Sequence, residues 1–207
     1  MTTIRTRNGI GSVTLRAMPT SVPVDALAAV LPGSTVGLFE PRDLAELVVL
    51  QRCCWVSEAI LNSTFDVPAL HETHDEVMAW ASSWTTLVVR LRDRLVAAVR
   101  GRQEDGNWEI GRLMVAPDLA GRGIGSTLLG VIESLAPDSV SGFTLFTGAK
   151  SVRNIALYER AGYRLTAAPD PDSPGHIVGA VYLTKPRVTQ RSLTEPSRTK
   201  LPGTVAS

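Results

Sequence analysis

The sequence predicts one domain of the mixed α/β (α+β) class, and three observations lead to that prediction. The chain has 207 residues, of which 44% are hydrophobic and 20% are charged, as in ordinary globular domains. Three strand patterns separated by short turns predict an antiparallel meander in the middle of the chain. A strand, a helix and a further strand follow, as in a βαβ unit. Together these patterns predict a mixed, mostly antiparallel sheet flanked by helices.

The N-terminal part of the sequence is the least regular. Residues 1–34 lack a clear hydrophobic period, and we interpret them as an extension that contains at most a short strand at 14–18. We expect the domain itself over residues 35–185, beginning with a strand at 36–39. A helix capped by Asp43 follows. The apolar positions of this helix are Leu44, Leu47, Val48 and Leu50.

A second helix and the meander come next. Residues 72–82 have an amphipathic pattern, and Trp80 and Trp84 lie one turn apart if the helix continues. The strands that follow are separated by the charged turn at 92–94 and by a turn at 104–107, which contains the Gly and Asn that tight turns require. We expect these strands at 85–91, 95–99 and 108–115.

After the meander, the pattern alternates between helix and strand. A glycine loop at 120–125 leads directly into a helix that ends before Pro137. The apolar positions of this helix are Leu128, Leu129, Ile132 and Leu135. A strand at 143–146 precedes another helix, for which Ser151 is the expected N-cap and Gly162 the C-terminal glycine.

The end of the chain is predicted to contain one more strand and a tail. The strand is expected at 177–183. Residues 186–207 are polar, contain prolines and lack an apolar period, so we expect a disordered tail.

Charge and hydrophobicity exclude several classes of partner. The formal net charge is +1, which does not favour binding to nucleic acid or to an anionic membrane. No run of 18 apolar residues exists that would cross a bilayer. The two cysteines, Cys53 and Cys54, are adjacent and cannot form the spaced pairs of a disulfide framework. We therefore expect a reduced, cytoplasmic protein in which both cysteines are small buried apolar residues.

The glycine loop has the features of an anion-binding site. The first N–H groups of a helix lack partners within the helix, and the helix dipole makes that end positive. Gly123 and Gly125 have no Cβ, so a phosphate can approach the backbone closely. Arg122 adds a positive charge with several donors. This combination suits a pyrophosphate.

Three kinds of phosphate ligand compete for such a loop. A Walker A loop requires a Lys and a longer glycine spacing, which are not found here. A dinucleotide fingerprint that starts at Gly121 fails because Ser126 occupies the position of its third glycine. An acidic residue about 20 positions further on would also be expected for a dinucleotide, and residues 139–150 contain none. Coenzyme A is the third possibility.

Two segments resemble conserved motifs of the GNAT acetyltransferase superfamily. Residues 109–117 with 120–125 are similar to its motif A, and residues 151–163, with Asn154 and Tyr158, are similar to its motif B. The family pattern is [RQ]-x-x-G-x-[GA], and this chain has Ala120 where the family has Arg or Gln. That departure removes one side-chain contact to the pyrophosphate but leaves the backbone of the loop unchanged.

The resemblance implies a sheet whose fourth strand splays from the fifth, with acetyl-CoA as co-substrate in the gap. Pantetheine would pair with the strand backbone, and a backbone N–H there would polarise the thioester carbonyl. The residues that the resemblance assigns to acetyl-CoA are Leu113, Met114, Val115, Gly121, Arg122, Gly123, Ile124, Gly125, Ser126, Asn154 and Tyr158.

The resemblance also suggests the two groups that move protons. Some family members carry a base glutamate on the strand before the loop, thirteen residues before its basic residue, which is the spacing of Glu109 and Arg122. Alternatively, Glu109 pairs with a neighbouring Arg and water is the base. Tyr158 matches the family's acid, and Asn154 lies four residues before it, on the same helix face. The alternative is a packed Tyr ring whose hydroxyl meets only water.

Other residues that carry chemistry have simpler explanations. His71 and His74 are three residues apart, but no further metal ligands accompany them, so we predict no metal site. By analogy with the family, residues 55–70 and the loop at 167–176 would line the acceptor pocket. In that loop the carboxylates of Asp170 and Asp172 either attract a cationic amine or are simply solvated.

The sequence leaves two functions in competition. The first is an N-acetyltransferase that acts on a primary amine, either a small molecule or a protein lysine or N-terminus. The second is a non-catalytic, CoA-binding regulatory module of the same fold. The acceptor, and the choice between monomer and homodimer, cannot be inferred from the sequence.

Overall fold

The computed structural model describes residues 24–167 and 179–187. Seven strands form one mixed sheet in the order β1-β2-β3-β4-β5-β7-β6. The strands are β1 (Ser34–Leu38), β2 (Thr85–Leu91), β3 (Arg94–Glu104), β4 (Asn107–Val115), β5 (Gly142–Gly148), β6 (Arg164–Thr166) and β7 (Ala180–Pro186). The helices are α1 (Val24–Val30), α2 (Leu44–Asn62), α3 (Pro68–His71), α4 (His74–Ser83), α5 (Ile124–Ser134) and α6 (Val152–Arg160).

The helices cover the two faces of the sheet. Helices α1 and α5 pack together on one face, and α2, α3 and α4 pack on the other. The centre of β3 is buried on both sides, with every residue from Leu95 to Val99 at most 4% exposed. A continuous apolar run of this kind is typical of a strand covered on both faces.

The strands β4 and β5 are parallel and pair over only a short stretch. The paired residues run from Asn107 to Glu109 on β4 and from Gly142 to Thr144 on β5. Within the described residues, no pairing joins the two strands beyond that point. The gap predicted from the family resemblance is therefore present, and Glu109 lies at its closed end.

A bulge on β4 lies beside this gap. Ala98 of β3 pairs with Met114, whereas Arg100 pairs with Gly111, so Arg112 and Leu113 together lie opposite one residue of β3. Arg112 has a φ of 51°, in the left-handed region that residues other than glycine seldom adopt. Bulges of this kind redirect a side chain next to a functional site.

The predicted strands and the helices at 44, 72, 124 and 152 are confirmed, with shifted ends. The sequence patterns did not predict α1, α3 or β6. Helix α1 lies within the segment interpreted as an extension, and its Leu27 is 0% exposed because the helix packs on α5. The strand expected at 14–18, the loop residues 168–178 and the tail from 188 lie outside the described residues.

The expected cap of α2 has a different role. Asp43 is at the N-cap position, but its side chain makes no capping bond to the helix. Its carboxylate instead accepts from the backbone N–H of Glu40 at 2.9 Å and from Arg90 Nη2 at 2.7 Å. Asp43 therefore links the start of α2 to β2.

Helix α2 is the longest helix of the described chain. Neither it nor any other helix among the described residues has both the length and the apolar composition that crossing a membrane requires.

Candidate functional site

The turn from β4 to α5 contains the glycine loop. After a single 3-10 turn at Pro117–Leu119, the chain passes through Gly121 with a φ of 81° and Gly123 with a φ of 82°. Gly123 is the N-cap residue of α5. Glycine adopts these left-handed conformations without the strain that a Cβ would introduce, so the loop can turn sharply into the helix.

Within residues 24–167 and 179–187, most amides of this turn lack an acceptor. Among the described residues, no carbonyl or side chain accepts from the backbone N–H groups between Gly121 and Ser126, and the first paired amide is that of Thr127. A Cβ added at Gly121 would meet nothing within 4 Å, so this part of the loop faces open space. Arg122 is exposed beside it. The turn thus presents unpaired backbone donors at a helix N-terminus, as an anion site would require, and we call residues 121–126 the anion-binding turn.

The free edge of β4 leads from this turn along the gap. The N–H of Ala116 donates to the carbonyl of Val96 on β3 at 2.8 Å. Because hydrogen-bonded pairs alternate in an antiparallel ladder, the N–H and carbonyl of Val115 face away from β3, towards the gap. The Val115 carbonyl accepts only the thiol of Cys54, at 3.3 Å. An extended ligand can therefore pair with this edge.

Helix α6 closes the other side of the cleft. Leu157 approaches the first turn of α5, where a Cβ on Gly125 would lie 3.5 Å from Leu157 Cδ1 and 3.7 Å from Val115 Cγ2. Tyr158, the next residue on α6, is 8% exposed. Three separate segments, the end of β4, the start of α5 and the middle of α6, thus meet at the cleft. The sequence analysis had assigned residues of all three to one site.

The Tyr158 hydroxyl stays protonated beside the cleft. It bonds to no described residue, yet it is not sealed from solvent. Burial raises the pKa of Tyr158, and the nearby carboxylate of Glu58 raises it further. The phenol therefore keeps its proton at neutral pH, which is the state that a general acid requires.

Glu58 on α2 is a site residue that the sequence analysis missed. Its carboxylate accepts from Asn154 Nδ2 at 3.1 Å and from the hydroxyl of Ser151. Ser151 is at the N-cap position of α6 as expected, but its side chain bonds to Glu58 instead of capping the helix. Glu58 thus fixes α6 against α2. The sequence gives no indication of this role, because Glu58 and Ser151 are 93 residues apart in the chain.

Glu109 forms an ion pair with a neighbouring strand. Its carboxylate accepts from Arg102 on β3, at 3.0 Å from Nε and 2.9 Å from Nη2. Glu109 also lies six residues before Val115, a distance of about 20 Å along an extended strand. The structure thus places Glu109 at the closed end of the gap and the anion-binding turn at its open end.

A cluster of arginines and tryptophans lies on the α2–α4 side of β4. We call it the arginine–tryptophan cluster, and its members are Arg100, Arg112, Glu72, Trp55, Trp80 and Trp84. Arg112 donates to Glu72 Oε1, and their side chains are only 12% and 17% exposed. Glu72 Oε2 also accepts from Gln51 Nε2 at 2.9 Å and from Trp80 Nε1 at 3.1 Å. Burial lowers the pKa of Arg112, while Glu72 opposes that shift.

Several expectations for individual residues are corrected. His71 ends α3 and His74 begins α4, so they do not share a helix, and His71 Nε2 bonds to the carbonyl of Phe65 at 2.8 Å. Among the described residues, no three His, Cys, Asp or Glu side chains are grouped as metal ligands would be. Asp170 and Asp172 lie outside the described residues.

The two cysteines differ from each other and from the expectation. Cys53 is exposed rather than buried, and both thiols are free. Burial raises the pKa of Cys54 to about 11, so this thiol stays protonated and unreactive at neutral pH.

Comparison with known proteins identifies the family that shares this arrangement. A family model described as the acetyltransferase (GNAT) family matches residues 53–163. No match was found among curated proteins.

Solved structures share the fold at low sequence identity. An acetyltransferase from Streptococcus agalactiae is 17% identical with a TM-score of 0.62, over 76% of this chain and 100% of that one. The PaiA N-acetyltransferase from Thermoplasma acidophilum, in complex with coenzyme A, is 14% identical with a TM-score of 0.59, over 74% and 99%. The ribosomal-protein-S18-alanine N-acetyltransferase from Escherichia coli is 17% identical with a TM-score of 0.56, over 78% and 99%.

Proposed function

The chain belongs to the acetyltransferase (GNAT) family, and on that premise we propose that it transfers the acetyl group of acetyl-CoA to a primary amine by direct attack. One observation carries the proposal. The run of amides without acceptors from Gly121 to Ser126 lies at the open end of the gap between β4 and β5. A ligand that consists of a diphosphate joined to an extended arm would use both the unpaired amides and the gap.

The residues present fit acetyl-CoA. The turn offers backbone donors and the Arg122 charge to the pyrophosphate, and open space at Gly121 leaves room for it. The free edge of β4 at Leu113–Val115 offers backbone groups to pantetheine, and Asn154 projects from α6 on the other side. A structural relative was solved in complex with coenzyme A, which supports the same use of this fold here.

The chemical step requires groups at the carbonyl and at the sulfur. In the transfer, the amine nitrogen forms a bond to the thioester carbon and the carbon–sulfur bond breaks. We assign polarisation of the carbonyl to a backbone N–H of the β4 edge, an oxyanion-type contact. We assign protonation of the departing sulfur to the hydroxyl of Tyr158, which keeps its proton at neutral pH.

The amine must also lose a proton. An alkylammonium group with a pKa near 10 is neutral in only about one part per thousand at pH 7, so a base contributes to the rate. We assign this role to Glu109 or to water near it. The carboxylate of Glu109 is already engaged in an ion pair with Arg102, which favours water as the base.

The proposal also covers the domain limits, the compartment and the acceptor. We propose that residues 35–185 are the catalytic domain and that the protein acts in the cytoplasm, which agrees with its two free thiols. The acceptor is a small amine or a protein lysine or N-terminus, and the enzyme is a monomer or a homodimer. The competing function is a CoA-binding module without turnover.

Two measurements on the purified protein test the proposal. Acetyl-CoA is expected to raise the melting temperature in a concentration-dependent manner, and an amine panel is expected to release free CoA thiol. A shift without thiol release from any amine would favour the non-catalytic module. No shift at millimolar acetyl-CoA would contradict both functions.

The Tyr158→Phe variant tests the acid. It removes only the hydroxyl, so kcat is expected to fall by about 10²-fold or more while acetyl-CoA binding is retained. Tyr163→Phe is the matched control, because the hydroxyl of Tyr163 bonds to Glu133 away from the gap. Equal turnover of Tyr158→Phe and the unmodified enzyme would exclude the acid role.

A further inference from the structure

Two arginines in the arginine–tryptophan cluster have opposite electrostatic environments. Arg112 is neutralised by Glu72. Arg100 has no carboxylate within ion-pair distance and makes no hydrogen bond with any described residue, and its Nε is completely buried. The nearest carboxylates, Glu72 and Glu109, are each bonded to another arginine. A buried guanidinium without an anionic partner is costly. The neighbouring tryptophan rings contact its charge but do not serve as acceptors for its N–H groups.

The position of Arg100 connects it to the cleft. Arg100 pairs with Gly111 across β3 and β4. A Cβ on Gly111 would lie 3.2 Å from Arg100 Nε and 3.7 Å from its Nη2, so the side chain lies across β4 at this glycine. Gly111 is two residues beyond Glu109, where β4 and β5 have ceased to pair. The guanidinium therefore reaches over β4 towards the gap.

The surroundings of Arg100 leave a defined part of it available. Its Cζ lies 4.6 Å from the centroid of the Trp80 ring and 4.0 Å from that of Trp84. The indole rings thus lie close against the guanidinium, and its two Nη groups, unlike Nε, are not among the fully buried atoms that lack a hydrogen bond. The Nη edge is the part that binds a carboxylate through two parallel hydrogen bonds.

The net charge of this region also favours an anion. Burial and, after it, repulsion from Arg112 lower the pKa of Arg100 to about 9. The side chain still carries its charge at neutral pH. A bound anion would relieve both the repulsion and the missing hydrogen bonds.

We propose that Arg100 binds the negatively charged group of the acceptor, so that the enzyme acetylates amines that carry a carboxylate, such as free amino acids. The proposal rests on the proposed acetyltransferase function and adds the substrate class. In it, Arg100 holds the carboxylate on the α4 side of β4 while the amine points into the gap. Trp80 and Trp84 hold the guanidinium in place.

Paired substrates test this specificity. Each amino acid is compared with its C-terminal amide, which keeps the amine but lacks the negative charge, and CoA release gives kcat/KM for both. The ratio of acid to amide is expected to exceed ten in the unmodified enzyme. In Arg100→Gln the ratio is expected to fall by about 10- to 100-fold, because a charge-assisted hydrogen bond is lost, while amide turnover changes by less than about threefold.

Two further variants separate recognition from structure. Arg100→Lys keeps the charge but loses the two-pronged geometry, and is expected to have an intermediate ratio. Arg187→Gln is the matched control, since Arg187 is similarly half-buried but bonds to Pro137 and Asp138 far from the gap. An equal loss of acid and amide turnover in Arg100→Gln would assign Arg100 a structural role and overturn the proposal.

A binding measurement keeps the result interpretable if no turnover is found. Trp80 and Trp84 flank Arg100, so amino acids added to the acetyl-CoA-bound protein are expected to change tryptophan fluorescence, and their amides are not. The change is expected to disappear in Arg100→Gln. Fluorescence that responds to carboxylates without CoA release would contradict the transferase function but support the anion site. CoA release from amides and acids alike, without a fluorescence difference, would support the transferase function and contradict the anion site.

Discussion

The anion-binding turn follows the end of β4 and the arginine–tryptophan cluster contacts the same strand, yet the two are built in different ways. The turn consists of consecutive residues and acts through backbone N–H groups. The cluster takes side chains from α2, α4, β3, β4 and the residue after α3. In the proposed function the backbone site serves the acetyl-CoA that the family shares, whereas the side-chain site can vary from one family member to another. This division is the reason that the family identifies the donor but not the acceptor.

The largest expected effect on stability comes from breaking the ion pair between Arg112 and Glu72 in the cluster. Glu72→Ala removes the acceptor of Arg112, Gln51 and Trp80 together. An uncompensated buried guanidinium remains, so the free energy of unfolding is expected to fall by about 3–5 kcal/mol, measured by urea denaturation.

Two other variants serve as comparisons for Glu72→Ala. Asp118→Ala breaks an ion pair whose side chains are more than half exposed, and is expected to cost less than about 1 kcal/mol. Arg100→Met removes a buried cation that has no carboxylate partner, which is favourable, together with its contacts to the Trp80 and Trp84 rings, which is unfavourable. Because these effects oppose each other, the free energy of unfolding is expected to remain within about 1 kcal/mol of the original. If Glu72→Ala proved as mild as Asp118→Ala, the cluster would not be an electrostatically balanced unit.

The next largest effect is expected in the turn. Gly123→Val places a β-branched residue at a φ of 82°, which is strained for any side chain with a Cβ. The amides of the turn should then rotate away from the pyrophosphate. The dissociation constant of acetyl-CoA, measured by calorimetry, is expected to rise by about 10²-fold, or about 2.7 kcal/mol.

Gly130 provides the matched control for that variant. It lies within α5, and a Cβ there would meet nothing within 4 Å. Gly130→Ala should leave acetyl-CoA binding unchanged and stabilise the protein by about 0.5–1 kcal/mol. Unaltered binding in Gly123→Val would mean that the turn does not hold the diphosphate.

The same contrast explains which features the sequence predicted. The turn was predictable because its glycines and the helix after them are adjacent in the chain. The role of Glu72 was not, because Glu72 looked like the first residue of a helix, whereas it follows α3 and bonds to Arg112 forty residues later. That contact depends on the β4 bulge, where Arg112 adopts a positive φ.

In the fold, too, the sequence predicted the features that depend on neighbouring residues and missed those that depend on distant contacts. Periodic patterns located β2 and β4 to within one residue. Helix α1 has only seven residues, too few to show a period, and only packing against α5 reveals its role. Two spacings in the sequence do relate to the cluster. Arg100 and Arg102 are two residues apart and share one face of β3, and Trp80 and Trp84 are four residues apart. Nothing in the sequence indicated that these two pairs meet.

The smallest effect is expected at Glu109, which is bonded across the sheet to Arg102 and lies at the closed end of the gap. If Glu109 is the base, Glu109→Gln should lower kcat/KM at neutral pH by about tenfold or more and remove the acidic limb of the pH–rate profile. Arg102→Gln, which frees the carboxylate from its ion pair, should keep that limb, because Glu109 itself is retained. If water is the base, both variants keep the profile of the unmodified enzyme, with the rate rising towards the pKa of the amine near 10. The pair of profiles therefore decides whether this end of the gap contributes to proton transfer or only to the sheet.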